Sequence, residues 1–100
     1  MFVVVWEFHV KPEHVVEFER HYSENGTWAK LFREDPAYRE TILQRNIKTK
    51  RRYLTTDLWD SEAAYHAFQE RNRERYRELD AAFDALTEKE TLIGYFEVVE

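Results

Sequence analysis

Aromatic residues cluster at one junction of the sequence, the segment YLTTDLWDSEAAYHAF at residues 53–68. Trp59 ends a stretch with the composition of a β-strand, and Tyr65 and Phe68 follow on the first two turns of the predicted helix. An indole can stack on an electron-rich ring, and a phenolic hydroxyl can hydrogen-bond a reacting oxygen atom. The junction therefore predicts either a pocket for an aromatic compound or a tightly packed piece of core.

Two acid–base groups accompany these aromatic residues. Asp57 lies in the strand that Trp59 ends. Because an isolated buried carboxylate is costly, we expect Asp57 to be exposed or to pair with Arg51 or with an arginine of the second helix. His9 lies in the predicted first strand and has the intrinsic pKa of a general base. The alternation of that strand leaves open whether His9 faces the pocket or a dimer partner.

The four histidines do not predict a metal site. His14, Glu17 and His21 share one side of the first helix, but the two histidines lie two turns apart, about 10 Å along the helix axis. Two ligands of one ion need bonds of about 2 Å to the metal, so this pair is too widely spaced. The chain has no cysteine, which excludes disulfides and thiolate metal sites.

The composition predicts one folded domain over residues 1–100. Hydrophobic residues make up 43% of the chain and aromatic residues 16%. One small core rarely hides that many rings, so we expect a cavity or a dimer interface as well. The net charge of −5 argues against nucleic-acid binding, which depends on cationic residues that neutralise phosphates.

The first ten residues, MFVVVWEFHV, predict neither a signal peptide nor a membrane span. They are apolar for only about six positions before Glu7, and no basic residue precedes the apolar run. With the absence of cysteine, this favours a cytoplasmic protein.

Hydrophobic periodicity and turn signals divide the chain into six main elements. A break at residues 23–26 separates the first helix from a short helical piece, which Thr27 would cap and which carries Trp28 and Phe32. The pattern predicts strands at residues 1–10, 37–46, 53–59 and 91–99, one helix that opens at Pro12 and another that Asp60 or Ser61 caps.

The second long helix carries the clearest apolar stripe, which runs from Tyr65 to Leu86 and is interrupted by Asn72. Like charges lie four residues apart around the interruption, as in the pair Arg71 and Arg75. Such pairs destabilise a helix, so we expect a bend or break near Asn72.

The order β-α-β-β-α-β is that of the ferredoxin-like α+β fold, a four-stranded antiparallel sheet with helices on one face. The first strand is apolar on both faces, since Val5 and Trp6 point to opposite sides. An apolar sheet face without helices is rarely left exposed by a soluble monomer. We therefore predict a homodimer in which two copies join their open sheet faces to form a dimeric α/β barrel.

The chain resembles the antibiotic biosynthesis monooxygenase-like family of the dimeric α/β-barrel superfamily. The resemblance covers essentially the whole chain, and its most telling piece is the strand-to-helix junction. The segments that carry it are VKPEHVVEFERHY, GTWAKLF, YRETILQR, RYLTTDLWDSEAAYHAF and GYFEVV.

The resemblance implies a cofactor-independent monooxygenase, an oxidoreductase that acts on an aromatic, phenolic or quinol-type small molecule. In that mechanism the carbanion of the substrate reduces O2, while the protein orients the substrate and excludes water. Trp59 and Tyr65 match the family's catalytic positions, and with His9 they are the predicted catalytic residues. The amide that better-known members place earlier on the strand is absent here, where Thr55 and Asp57 stand.

The resemblance also implies a hydrophobic pocket between the sheet and the helices. We expect Trp28 and Phe32, on the short helical piece after Gly26, either to cover this pocket as a lid or to anchor that piece onto the core. The predicted substrate-binding residues are Trp6, Tyr22, Trp28, Phe32, Asp57 and Phe68.

Other functions of related folds fit the sequence less well or stay open. The haem-degrading branch needs an asparagine on the first strand and a histidine late in the second helix, and the chain has neither. RNA-recognition modules need a glycine and spaced aromatic residues that RYLTTDLW lacks. A non-catalytic small-ligand-binding or stress-related domain stays open. So does a lactone or ring isomerase, with His9, Asp57 and Tyr65 as candidate acid–base groups.

Overall fold

Four β-strands form one antiparallel sheet in the computed structural model, which describes residues 1–100. Their order across the sheet is β2-β3-β1-β4, and every neighbouring pair is antiparallel. This confirms the predicted ferredoxin-like α+β fold. The strands are β1 (Phe2–Val10), β2 (Tyr38–Arg45), β3 (Arg52–Trp59) and β4 (Thr87–Glu97).

Four α-helices connect the strands: α1 (Val15–Tyr22), α2 (Thr27–Phe32), α3 (Glu62–Arg71) and α4 (Arg73–Phe83). Short 3₁₀ turns at Pro12–His14 and Asp84–Leu86 precede α1 and β4 respectively. Helices and sheet thus form two layers, with the helices on one face of the sheet.

The turn between α1 and α2 requires a glycine. A Cβ atom on Gly26 would lie 2.4 Å from the carbonyl oxygen of His21, which is closer than atoms can approach. Gly26 is also the residue that precedes α2, so the predicted cap at Thr27 is wrong by one position. The Thr27 hydroxyl instead lies 2.7 Å from Nδ1 of His21 and ties the two helices together.

The predicted break at Asn72 is confirmed, because α3 ends and α4 begins at this residue. The Asn72 amide donates to the Phe68 carbonyl oxygen at 3.0 Å, which satisfies an acceptor at the end of α3. At the other end of α3, Ser61 is the cap, and its hydroxyl accepts from the Ala64 N–H at 3.1 Å.

The core between sheet and helices consists of two aromatic clusters. One is built around Trp59 and Phe32, and the other around Phe8 and Phe18. Trp6, from the middle of β1, is only partly buried and packs against both clusters. The space between the clusters is where the cavity described below lies.

The opposite face of the sheet, here called the open face, carries no helix. Ile42 on β2 remains 40% exposed and Phe96 on β4 49% exposed, although both side chains are apolar. No helix of the chain is both long enough and apolar enough to span a membrane.

Candidate functional site

A cavity of about 200 Å³ lies between the sheet and the helices. All its apolar wall residues are aromatic, and they come from β1 and from all four helices: Trp6, Phe8, Tyr22, Trp28, Phe32, Tyr65 and Tyr76. Its polar wall residues come from β2, β3, α3, α4 and β4: Thr41, Thr55, Asp57, Gln69, Asp80 and Glu90. The two sets give the cavity an aromatic surface with carboxyl groups set into it.

Asp57 is the most deeply placed of these carboxyl groups, with 9% of its surface exposed. It lies opposite Thr41 in the β2–β3 pairing, and the Thr41 hydroxyl donates to Asp57 Oδ1 at 2.6 Å. Tyr38 lies 2.7 Å from the same Thr41 oxygen, so Tyr38 must donate to Thr41. Burial raises the pKa of Asp57 to about 6, and the bond from Thr41 opposes that rise.

The predicted arginine partner of Asp57 is wrong. Arg51 lies at the β2–β3 hairpin, where its guanidinium donates to the Val10 carbonyl oxygen at 3.3 Å. Thr41 is the side chain that hydrogen-bonds Asp57, so no cation neutralises this carboxyl within the chain.

Several hydrogen-bond donors of the wall have raised pKa values or lack partners. Burial raises the pKa of Tyr22, Tyr65 and Tyr76, so their hydroxyl groups keep their protons at all ordinary pH values. The Tyr76 hydroxyl is buried and makes no hydrogen bond within the protein. The buried Trp28 indole N–H makes none of ordinary geometry, although it lies close enough to the Tyr22 hydroxyl to oppose the rise in the pKa of Tyr22. Buried donors in native proteins are nearly always paired, so these two are available to a bound molecule.

The cavity opens to solvent beside two further carboxyl groups. Asp80 on α4 and Glu90 on β4 line it and are themselves exposed. Partial burial raises the pKa of both groups, and the neighbouring Asp84 raises both further. This edge, here called the mouth, is therefore a region of concentrated negative potential. No lysine, arginine or histidine lines the cavity.

The sequence profile of the antibiotic biosynthesis monooxygenase family matches residues 1–85. The chain belongs to this family. No curated protein matches it. Its fold is similar to that of SnoaB, a cofactor-independent oxygenase from Streptomyces nogalater, with 19% identity, a TM-score of 0.73, and coverage of 99% of this chain and 93% of SnoaB.

Two further solved structures share the fold at low identity. A proposed antibiotic biosynthesis monooxygenase from Caulobacter crescentus CB15 is 21% identical with a TM-score of 0.79, covering 99% of this chain and 90% of that one. A proposed antibiotic biosynthesis monooxygenase from Deinococcus radiodurans is 15% identical with a TM-score of 0.79, covering 100% of this chain and 94% of that one. At these identities the likeness concerns the fold.

In this member of the antibiotic biosynthesis monooxygenase family, six of the residues singled out from the sequence share the cavity wall. They come from five different elements, which the fold brings together: Trp6, Tyr22, Trp28, Phe32, Asp57 and Tyr65.

Three other predicted site residues lie elsewhere. Trp59 is fully buried behind the wall, with its ring centroid 5.6 Å from that of Tyr65, and Phe68 is core beside it. His9 alternates with Phe8 and therefore points to the open face, where its Nε2 atom lies 3.6 Å from Glu7 Oε1. The junction that ends β3 is thus packed core, and the cavity lies to one side of it.

The structure adds several wall residues to the predicted set. Tyr76 and Asp80 continue on α4 the face that Tyr65 begins on α3, so the 3.6-residue period is the signal that could have found them. Thr41 could be found only from the register of β2 against β3. The other additions are Phe8, Thr55, Gln69 and Glu90.

Proposed function

We propose that the chain is a cofactor-independent monooxygenase that acts on a phenolic or quinol-type compound with one aromatic ring. The observation that carries the proposal is an aromatic cavity that holds a buried carboxyl group, Asp57, together with two unpaired donors, Trp28 and Tyr76. An apolar protein cavity of roughly 150 Å³ takes up benzene. A cavity of about 200 Å³ therefore suits a single ring with a short substituent.

The proposed reaction needs only the substrate and O2. Hydroquinone and O2 give hydroxy-para-benzoquinone and water. The ring loses one O–H and one C–H hydrogen, one oxygen atom forms a new bond to carbon, and the O–O bond breaks to release the other atom as water. The substrate supplies all four electrons, so no external reductant is required.

Different wall residues have different roles in this reaction. Above pH 6 the Asp57 carboxylate is ionised, accepts the phenolic proton and returns a proton to the departing oxygen. The Tyr76 hydroxyl and the Trp28 N–H donate to the oxygen atoms that gain charge. Tyr65 retains its proton and adds a third donor. The aromatic wall excludes water from the reduced oxygen species.

Trp59 acts in this proposal as a positioning residue. It does not line the cavity, but its indole packs edge-on against Tyr65 and Phe32, two rings of the wall. It therefore fixes the side chains that a substrate would contact.

We further propose that the active form is a homodimer in the cytoplasm. The exposed apolar residues of the open face, Ile42 and Phe96, support a second copy packed against the sheet. The absence of cysteine fits a reducing compartment.

A second candidate function is non-catalytic binding of the same kind of ligand. The filled junction around Trp59, whose indole has no contact with the cavity, favours this alternative. The two candidates make different predictions in a single assay.

Oxygen uptake with hydroquinone and methylhydroquinone tests the proposal, with an anthrone as a compound too large for the cavity. We expect equimolar use of O2 and hydroquinone without hydrogen peroxide, which spontaneous oxidation would release. Asp57→Asn should lower the rate by about 100-fold, the usual effect of removing a general base. Glu40→Gln, an exposed carboxylate change on β2, should leave it intact. If no compound raises uptake above the rate in buffer, the binding function replaces the enzymatic one.

A further inference from the structure

We infer that the ligand of this cavity carries a positive charge, and that it is an arylalkylammonium compound whose amino group is held at the mouth. The inference deepens the proposed function, on which it rests for the reacting ring. It concerns the charge of the ligand, which that proposal leaves open.

The apolar wall is the first line of support. Pockets for small molecules are commonly lined by a mixture of aliphatic and aromatic side chains. Here every apolar wall residue is aromatic, and none is aliphatic. Aromatic faces carry negative potential and attract organic cations within about 6 Å of the ring, best of all over tryptophan. Two of the rings, those of Trp6 and Trp28, are only partly buried and therefore accessible from the cavity.

The carboxyl groups are the second line of support. Three of them line the cavity, Asp57 inside and Asp80 and Glu90 at the mouth, and no cationic side chain accompanies them. Asp57 is at least nine-tenths buried and is hydrogen-bonded by Thr41 alone. An anionic ligand would be repelled by all three groups, whereas a cation would supply the charge that they lack.

The chain's own arginines do not neutralise these groups, although four of them lie on α3 and α4. Arg71 donates to Asp35 at 2.5 Å and Arg75 to Glu34 at 2.6 Å, so both bond to the segment that follows α2. Arg73 pairs with Glu70 of α3, and Arg77 pairs with Glu74 of α4. The negative potential of the cavity is therefore left for a ligand.

The two sites of negative charge suggest how such a ligand lies. The mouth combines Asp80 and Glu90 with the neighbouring Asp84, so it is the stronger cation site. The inner end combines Asp57 with the unpaired donors Tyr76 and Trp28, which suit a phenolic oxygen. An ammonium group at the mouth would thus direct the phenol toward the base.

Three para-substituted phenols of nearly equal size test the inference. Tyramine carries an ammonium group, tyrosol a neutral hydroxyl, and para-hydroxyphenylacetate a carboxylate. Binding is measured near neutral pH at low salt by the shift of the Trp28 indole N–H signal in NMR spectra of the whole chain. We expect tyramine to bind about tenfold more tightly than tyrosol or better. The carboxylate compound should give no saturable shift.

Removing the two carboxylates that line the mouth should remove most of this selectivity. In the double variant Asp80→Asn with Glu90→Gln, the ratio of tyramine to tyrosol affinity should fall close to one, while tyrosol binds as before. Both residues are exposed, so the fold should tolerate the changes, and Asp80→Asn alone should lower the ratio part-way. Glu40→Gln, which removes a single negative charge as Asp80→Asn does but lies outside the cavity, should leave the ratio unchanged.

Several results would overturn the inference. These are equal or tighter binding of tyrosol or of the carboxylate compound, an unchanged ratio in the double variant, or no saturable tyramine shift at millimolar concentration. Its failure is separable from that of the proposed function. Tyramine selectivity without oxygen uptake would leave the inference standing and remove the monooxygenase. Oxygen uptake with hydroquinone but no preference for the amine would support the monooxygenase and overturn the inference about charge.

Discussion

The Thr41 hydroxyl donates to the Asp57 carboxylate at 2.6 Å across the β2–β3 pair, and this bond holds the carboxyl toward the cavity. Tyr38 donates to Thr41 in turn, so a chain of two hydrogen bonds ends on Asp57. These two hydrogen bonds stabilise the negative charge of Asp57 inside the protein, where it has no cationic partner.

Thr41→Val should raise the pKa of Asp57 above about 6, because the bond from Thr41 is what opposes the effect of burial. NMR titration of the Asp57 carboxyl carbon measures this directly, and the acidic limb of the oxygen-uptake profile should move to higher pH. Thr56→Val is the matched control, since Thr56 bonds Gln44 on the open face. An unchanged Asp57 titration in Thr41→Val would show that Thr41 has no such role.

Asp57 should make the protein more stable at acidic pH than at neutral pH. Its pKa is about 6 in the folded chain and 3.8 in the reference state, so the folded chain binds more protons between these values. The free energy of unfolding therefore falls as pH rises through this window, on the order of 3 kcal/mol in total.

Urea unfolding at a series of pH values checks this dependence. Asp57→Asn should remove most of the fall between pH 4 and 6 and raise the stability at pH 7. Asp80 and Glu90 also have raised pKa values, so a smaller fall of the same sign should persist. An identical pH profile in the wild type and in Asp57→Asn would contradict the prediction.

Tyr76→Phe should separate function from stability. The Tyr76 hydroxyl has no partner in the protein, so its removal should leave the free energy of unfolding unchanged within about 0.5 kcal/mol or raise it. Oxygen uptake should nevertheless fall. Tyr38→Phe is the contrast, because it removes a donor that Thr41 uses and should cost about 1 kcal/mol. A loss of stability in Tyr76→Phe would mean that its hydroxyl serves the fold.

The buried indole and the cavity indole should respond differently to truncation. Trp59→Ala removes a fully buried ring and should cost about 3–5 kcal/mol of stability. Trp28→Ala removes a partly buried ring of the wall, so it should cost less and weaken ligand binding more. Thermal unfolding and the phenol titrations measure the two effects, and the reverse order of stabilities would exclude the assignment of Trp59 to the core.

Charges on the open face should dissociate the proposed dimer. Ile42→Asp together with Phe96→Asp places two carboxylates where two sheets would meet, so light scattering after size exclusion should change from the mass of two chains to that of one. Ile47→Asp, in the loop between β2 and β3 and 95% exposed, should leave the mass unchanged. A wild-type chain that is already monomeric in dilute solution would exclude this interface.

The fold could be predicted because its signals are local. Each strand alternates or is apolar on both faces, and the break at Asn72 follows from like charges that face each other along a helix. The beginning of β4 was harder to predict. The charged residues before Thr91 hide a strand that starts at Thr87, and so Glu90 was not expected on the cavity wall.

The site could be predicted only in part, because its geometry depends on register and packing. Trp28 and Trp59 are equally aromatic in the sequence, yet one lines the cavity and the other fills the core. The partner of Asp57 was expected to be an arginine. Thr41 takes that place because the pairing of β2 with β3 shifts by one residue between Tyr38 and Glu40. A single sequence does not specify such a shift.

The two carboxyl groups that line the mouth of the cavity lie close together in the amino-acid sequence. Asp80 and Glu90 belong to one uninterrupted stretch of chain, from α4 through the turn Asp84–Leu86 into β4. Asp57 and Thr41 come from a different part of the sequence, on β2 and β3. Mutations confined to the later stretch would therefore change the charge that the mouth presents to a ligand and leave Asp57 and Thr41, the groups proposed for proton transfer, as they were.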